Sequence, residues 1–359
     1  MASINRRFLL CATAALAAPL LARPSRAQSS GTATGAGATI TGAGATFPSP
    51  LYQKWAEAAK AAGAPILNYQ SVGSGAGQAQ IRNRTVDFGA SDAPMTDALL
   101  QQNTLLQFPS TMGSLVAVVN LPGIADNQLK LTGDILADIY FGKITKWNDP
   151  RIVDLNKDAT LPNLAIAPVY RADGSGTTYV WVSYLAAVSA EWKEKVGVAT
   201  SVKWPAGNGA RGNEGVAATV RNTLGAIGYV ESAYAKQNKL TSTQLRNKAG
   251  HFVKPQPETF RAAATHADWS TAHFAASLID TAGDQSWPIV SPTFILIPLN
   301  PTEPDRAANV LRFFDWAFRH GDTLATQLDY IPLPDAVKQA VRKSWTQLRR
   351  PNGQPVWPN

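Results

Sequence analysis

The sequence predicts an α/β fold. Strand-length apolar runs alternate with helical spacings along the chain, and glycine-bearing turns separate them. Hydrophobic residues make up 45% of the 359 and charged residues 16%, which supplies real cores and excludes global disorder. That length suits two medium units, with one large α/β sheet as the competing architecture.

Leu51, Trp55, Ala58 and Ala62 recur at helical spacing, and Gly63 ends that helix. Residues 66–71 read as a strand, 86–90 as a second ending at Ser91-Asp92, and 114–120 as a third. Leu131, Ile135 and Ile139 mark a helix. Residues 165–171 form a strand, and 177–187 a helix beyond a glycine turn. Further strands fall at 226–230 and 293–298, and Val310, Phe313, Phe314 and Ala317 share one face of a closing helix. Trp55, Phe313, Phe314 and Trp316 are expected in the core. Trp147 and Trp204 lie in loop-like stretches, where internal packing and partner contact are both open.

The N-terminus reads as a targeting segment. Arg6 and Arg7 precede an apolar run from Phe8 to Ala22, and Ser25-Arg26-Ala27 places small residues where a signal peptidase reads. The run is shorter than the ~20 residues a membrane-spanning helix needs. Residues 1–27 are therefore expected to be a signal peptide and 28–38 a flexible leader of Ser, Gly, Ala and Thr. The arginine pair resembles a twin-arginine signal, and the general and twin-arginine export routes both stay open. Losing Arg6, Arg7, Arg23 and Arg26 lowers the formal charge of +8 by four, to +4. The remaining basic residues are scattered, with no stripe for nucleic acid. Cys11 is the only cysteine, so a mature chain has no disulfide, catalytic thiol or cysteine metal site. His251, His266, His273 and His320 stand apart from any metal-ligand spacing. Neither a nucleotide-binding glycine loop with Lys-Ser/Thr nor a Gly-x-Ser-x-Gly elbow is present.

Three glycine-flanked, hydroxyl-bearing turns each precede a predicted helix: Gly44-Ala45-Thr46-Phe47, Gly73-Ser74-Gly75-Ala76-Gly77 and Asp173-Gly174-Ser175-Gly176-Thr177. A helix start offers unpaired N–H groups and the positive end of the helix dipole. Glycine admits a close approach, and Ser or Thr adds a hydroxyl. One such turn is ordinarily a helix cap. Three in one chain point toward a metal-free oxyanion site. Arg171, two residues before Asp173, suits a two-pronged grip on the anion, and Asp173 suits bracing it. Asp92 ends its strand near this chemistry. A carboxylate there accepts the proton that phosphate carries near neutral pH, whereas sulfate meets it with unpaired acceptors.

Six stretches resemble the periplasmic phosphate-binding proteins of bacterial phosphate ABC transporters. They are Ile40-Thr41-Gly42-Ala43-Gly44-Ala45-Thr46-Phe47-Pro48, Val86-Asp87-Phe88-Gly89-Ala90-Ser91-Asp92, Ile139-Tyr140-Phe141-Gly142-Lys143-Ile144-Thr145-Lys146-Trp147, Arg171-Ala172-Asp173-Gly174-Ser175-Gly176-Thr177, Gly225-Ala226-Ile227-Gly228-Tyr229 and Phe313-Phe314-Asp315-Trp316. One departure is Ala76, where many relatives carry glycine. The resemblance implies an α/β, two-lobed periplasmic-binding-protein (Venus-flytrap) fold with a hinge of crossing strands. Lobe I would comprise 39–114 and 294–359 and lobe II 115–293, with hinge strands near 113–117 and 292–295. The implied phosphate ligands are Ala45, Thr46, Phe47, Ser74, Asp92, Arg171, Ser175, Gly176 and Thr177, with Asp173 behind Arg171. It also implies a soluble periplasmic monomer, without catalysis, cofactor or metal, that delivers inorganic phosphate to an inner-membrane phosphate permease. A receptor for another oxyanion and an exported phosphoryl-transfer enzyme are the alternatives.

Overall fold

The computed structural model describes residues 37–357, so the expected signal peptide and most of the leader lie outside the described residues. The first part of the chain runs β1 (Thr39–Gly44), α1 (Ser49–Ala61), β2 (Ile66–Ser71), α2 (Ser74–Arg82), β3 (Phe88–Ser91), α3 (Asp97–Gln102) and β4 (Leu105–Val119). The middle follows as β5 (Lys130–Leu131), α4 (Gly133–Tyr140), α5 (Pro150–Val153), β6 (Ala167–Arg171), α6 (Gly176–Val188), α7 (Ala190–Lys195), β7 (Asn208–Ala210), α8 (Gly212–Asn222), β8 (Ala226–Glu231) and α9 (Ser232–Gln237). Then come β9 (Thr241–Ser242), β10 (Gln244–Arg246), β11 (Phe252–Val253), α10 (Pro257–Ala264), β12 (Leu278–Ile279), β13 (Ile289–Pro298), α11 (Pro304–His320), α12 (Asp322–Gln327) and α13 (Asp335–Trp345).

The main sheet has the order β2-β1-β3-β13-β4-β8-β6-β7, and a small sheet has the order β11-β10-β5. β1 is parallel to β2 and β3, and β6 is parallel to β7 and β8. Between these parallel flanks run β13 and β4, antiparallel to their neighbours. β4 serves both sides: residues 105–114 pair with β13, and 115–119 pair with β8. The carboxyl ends of parallel strands are where α/β sheets place ligands. Here β1, β2 and β6 lead into the three turns singled out above, and β3 leads into Asp92.

β4 begins at Leu105 rather than near 114. Pro109, Ser110, Thr111 and Gly113 disguise its first half, although every residue of the strand is buried. α8 has no counterpart among the expected elements, and Gly212 and Gly215 in its first turn obscure its helical character. In the core, Phe314 meets Tyr52, Phe88 and Phe108 edge-on, with ring centroids 6.1, 5.3 and 5.8 Å away. Trp147 is fully buried, and its Nε1–H donates to the Gly225 carbonyl at 2.9 Å. Trp204 stacks on Tyr170 at 5.0 Å. Trp147 therefore packs inside, and Trp204 is half-buried against the core. Trp316, expected in the core, is only half-buried and sits beside His320.

Candidate functional site

β1 closes on Gly44, whose φ of +146° and whose position both demand glycine: a Cβ there would lie 2.0 Å from the Ala90 carbonyl oxygen. The chain then turns through Ala45, Thr46 and Phe47 into α1. The Ala45 N–H donates to Ala90 O at 2.9 Å. That bond ties the turn to the end of β3 and engages the Ala45 N–H within the protein. The amides of Thr46 and Phe47 have no acceptor among the described residues.

Ser74 opens α2 behind Gly73, and its Oγ accepts from the Asp92 N–H at 3.2 Å and lies 3.5 Å from Asp92 Oδ2. Asp92 is 1% exposed. The Thr293 hydroxyl on β13 donates to its Oδ1 at 2.8 Å, which leaves Oδ2 toward Ser74 and α6. Burial pushes the Asp92 carboxyl up to about 7, against the opposing pull of Thr293, Arg171 and Ser74.

Arg171 ends β6 and is 3% exposed. Its Nε and Nη2 donate to the two Asp173 oxygens at 2.8 and 2.5 Å, and its Nη1 donates to Thr46 Oγ1 and Thr177 Oγ1 at 3.2 Å each. Burial works to raise the Asp173 carboxyl, but the Arg171 hydrogen bonds and charge, helped by the Gly212 N–H, hold it below the usual carboxylate range. Ser175 caps α6 by accepting from the Thr178 N–H at 3.0 Å, and its own N–H donates to Thr200 O at 2.8 Å. What Ser175 retains is its hydroxyl proton. The amides of Gly176 and Thr177, first in α6, have no acceptor outside that helix among the described residues.

Thr46, Ser74, Asp92, Arg171, Gly176 and Thr177 therefore converge, with Phe47, Ser175 and Asp173 adjoining. The Gly75 N–H donates to the Gly174 carbonyl at 2.8 Å, so the second and third turns meet backbone to backbone. Gly176 lies so close to its neighbours that a Cβ would stand 2.4 Å from Ser74 Oγ and 2.6 Å from Asp92 Oδ2.

The sequence reading missed two residues. Thr293 orients Asp92. Asn213, fully buried at the start of α8, donates its side-chain N–H to Thr46 Oγ1 at 2.7 Å and to Thr177 Oγ1 at 3.3 Å. The only available signal for Asn213 was its place behind Gly212, another glycine followed by a helix start. The two threonine oxygens are thus filled with incoming bonds, and their own protons remain to be given. The result is a crowd of N–H and O–H donors, one guanidinium and one acceptor, Asp92. Such a site suits an oxyanion that carries a proton.

A family model described as a PBP superfamily domain matches residues 28–320. The Phosphate-binding protein PstS of Pasteurella multocida is 52% identical over 328 residues, covering 91% of this chain and 93% of its own. Its namesake in Haemophilus influenzae is 51% identical over 319 residues, covering 88% and 93%. Among solved structures, a high-affinity periplasmic phosphate-binding protein bound with phosphate superposes with a TM-score of 0.68 at 24% identity, covering 86% of this chain and 94% of its own. A phosphate-binding protein from Stenotrophomonas maltophilia gives 0.65 at 21% identity, covering 85% and 93%.

Proposed function

The chain belongs to the PBP superfamily and, within it, to the phosphate-binding proteins; from that premise we propose how it holds its ion. It is a receptor for inorganic phosphate that serves an ABC-type importer. In the mechanism we infer, Thr46, Phe47, Ser74, Arg171, Ser175, Gly176 and Thr177 donate to the phosphate oxygens, and Asp92 accepts a hydrogen bond from the proton that the phosphate keeps. No metal takes part, because helix starts and Arg171 supply the positive potential.

The observation that carries this reading is the single acceptor among many donors. Dianionic phosphate fits it by donating its O–H to Asp92 in a hydrogen bond. Sulfate has none, so it binds only after Asp92 has been protonated from solvent.

Two lobes with a hinge between them are part of the proposal. The change of partner along β4 between Ser114 and Leu115, and the register shift in β13 between Thr293 and Phe294, support a hinge at the boundaries expected from the sequence. Closure about that hinge would bring α2 and α6 onto one ion. The relatives are named as binding proteins, which supports a carrier rather than a phosphoryl-transfer enzyme. Export to the periplasm through residues 1–27, action as a monomer and docking on an inner-membrane phosphate permease complete the proposal.

Equilibrium competition between phosphate and sulfate from pH 6 to 9 tests it. We expect phosphate to be preferred by about 10⁴-fold near pH 8, the scale of discrimination that unpaired buried groups produce. Equal competition by the two anions would sink the proton-reading role of Asp92.

A further inference from the structure

Three consecutive carbonyls of the first turn are each held by a tyrosine from a distant part of the chain. Tyr69 Oη donates to Ala45 O at 2.6 Å, Tyr234 Oη to Thr46 O at 2.6 Å, and Tyr330 Oη to Phe47 O at 2.5 Å. They come from β2, α9 and the segment after α12. The Thr46 carbonyl also accepts from the Ser49 N–H of the helix start at 3.2 Å, so Tyr234 is not needed merely to satisfy it.

The pairing has a direction. A carbonyl shares its peptide with the N–H of the following residue. Tyr69 therefore acts on the peptide that carries the Thr46 N–H, and Tyr234 on the peptide that carries the Phe47 N–H. A carbonyl that accepts a strong hydrogen bond polarises its peptide and makes the N–H at the other end a better donor. The Phe47 carbonyl leads into Pro48, which has no N–H, so Tyr330 can pin the turn but cannot strengthen a donor through it.

We propose that Tyr69 and Tyr234 are positioning residues for phosphate: they aim and strengthen the Thr46 and Phe47 amides, while Tyr330 anchors the turn. The proposal rests on the phosphate reading above, and it adds residues that never touch the ion. Tyr234 carries a further consequence, because it lies in the proposed second lobe and the turn in the first. Its bond forms only when the cleft is shut, so it is expected to act on release of the ion rather than on capture. Glu214 Oε1 stands 3.1 Å from the Tyr234 hydroxyl, and the shorter contact directs the proton to Thr46 O. Burial raises all three phenols well above their ordinary range, so all three remain protonated donors at any physiological pH.

The test measures phosphate affinity and association and dissociation rates for Y69F, Y234F and Y330F beside wild type and Y140F. Tyr140 is the matched control, a buried tyrosine donating to the Val169 carbonyl at 3.1 Å, away from the turn. We expect Y69F and Y234F to weaken binding by about 5- to 20-fold, the effect of one buried hydrogen bond. In Y234F the loss should fall on the dissociation rate, and Y140F should stay within about twofold of wild type. Amide ¹⁵N resonances supply a readout that loss of stability would not move. The Thr46 amide should shift in Y69F and the Phe47 amide in Y234F, whereas Y330F should move neither comparably. Unchanged affinity in both variants, equal losses in Y140F, or unmoved amide resonances overturn the proposal. If a variant does not fold, slowly exchanging tyrosine hydroxyl protons in the wild type report the same bonds, and rapid exchange of those protons overturns it. Failure of the wild type itself to bind phosphate would instead overturn the proposed function.

Discussion

Gly176→Ala separates folding from closure more cleanly than any ligand deletion. Gly176 opens α6 with φ outside the left-handed region, so alanine suits its backbone, and as a helix former it should stabilise the fold by up to about 1 kcal/mol. The cost appears across the site. The added methyl would lie 2.4 Å from Ser74 Oγ and 2.6 Å from the Asp92 Cβ and Oδ2, whereas ordinary contact begins at 3.4 Å. α6 must therefore stand back by about 1 Å, and hydrogen bonds to an ion shared with α2 stretch from about 2.8 to about 3.8 Å, beyond useful range. Losing two charge-assisted bonds at roughly 2 kcal/mol each removes about 4 kcal/mol, close to 10³-fold in Kd. Titration calorimetry with phosphate, run beside thermal melts of the ligand-free protein, measures both sides. A Kd within tenfold of wild type, in a protein with an unchanged melt, would show that α6 and α2 do not close on a common ion.

Asp92→Asn presents an amide that can donate to sulfate, so the preference for phosphate over sulfate should fall by at least about tenfold in the competition assay; retention of full selectivity would rule out proton reading. The same variant tests linkage. A carboxyl raised to about 7 when folded stabilises the protein fully below its unfolded pKa, and that contribution is lost as pH rises through about 7. Between pH 5 and 8 the ligand-free wild type should lose about 2–3 kcal/mol relative to Asp92→Asn in denaturant melts; parallel pH profiles for the two proteins would contradict the burial argument. Asn213→Ala removes the shared donor that fills Thr46 Oγ1 and Thr177 Oγ1. Phosphate should bind about tenfold more weakly, and unaltered affinity would show that those hydroxyls need no brace.

The helix-start turns were legible in the sequence because their signals are local. Gly44, Gly73 and Gly174 stand beside Thr46, Ser74 and Ser175, and each turn is completed within a few residues. β2 was expected at the bounds it occupies, since residues 66–71 end cleanly against a glycine turn. What stayed hidden is what the fold brings from afar. Thr293 reaches Asp92 across 201 residues of chain, and Asn213 reaches Thr46 across 167. Nothing around Thr293 marks it locally, and Asn213 has only the glycine before it. The first half of β4 was obscured for a different reason. Its Pro109 and Gly113 contradict strand propensity, and burial together with pairing along β13 overrides them.

The place of β13 in the main sheet also governs the order in which the molecule can be assembled. It lies between β3 and β4, which are close neighbours in the chain, yet it is built only from residues 289–298. A nascent chain that has emerged as far as β12 still has two open strand edges at its centre and no means of sealing them. Completion waits for the last fifth of the polypeptide, and such distant pairing is slow. For a polypeptide proposed to cross a membrane by way of its N-terminus, a built-in delay before the middle of the sheet locks keeps the chain threadable for longer.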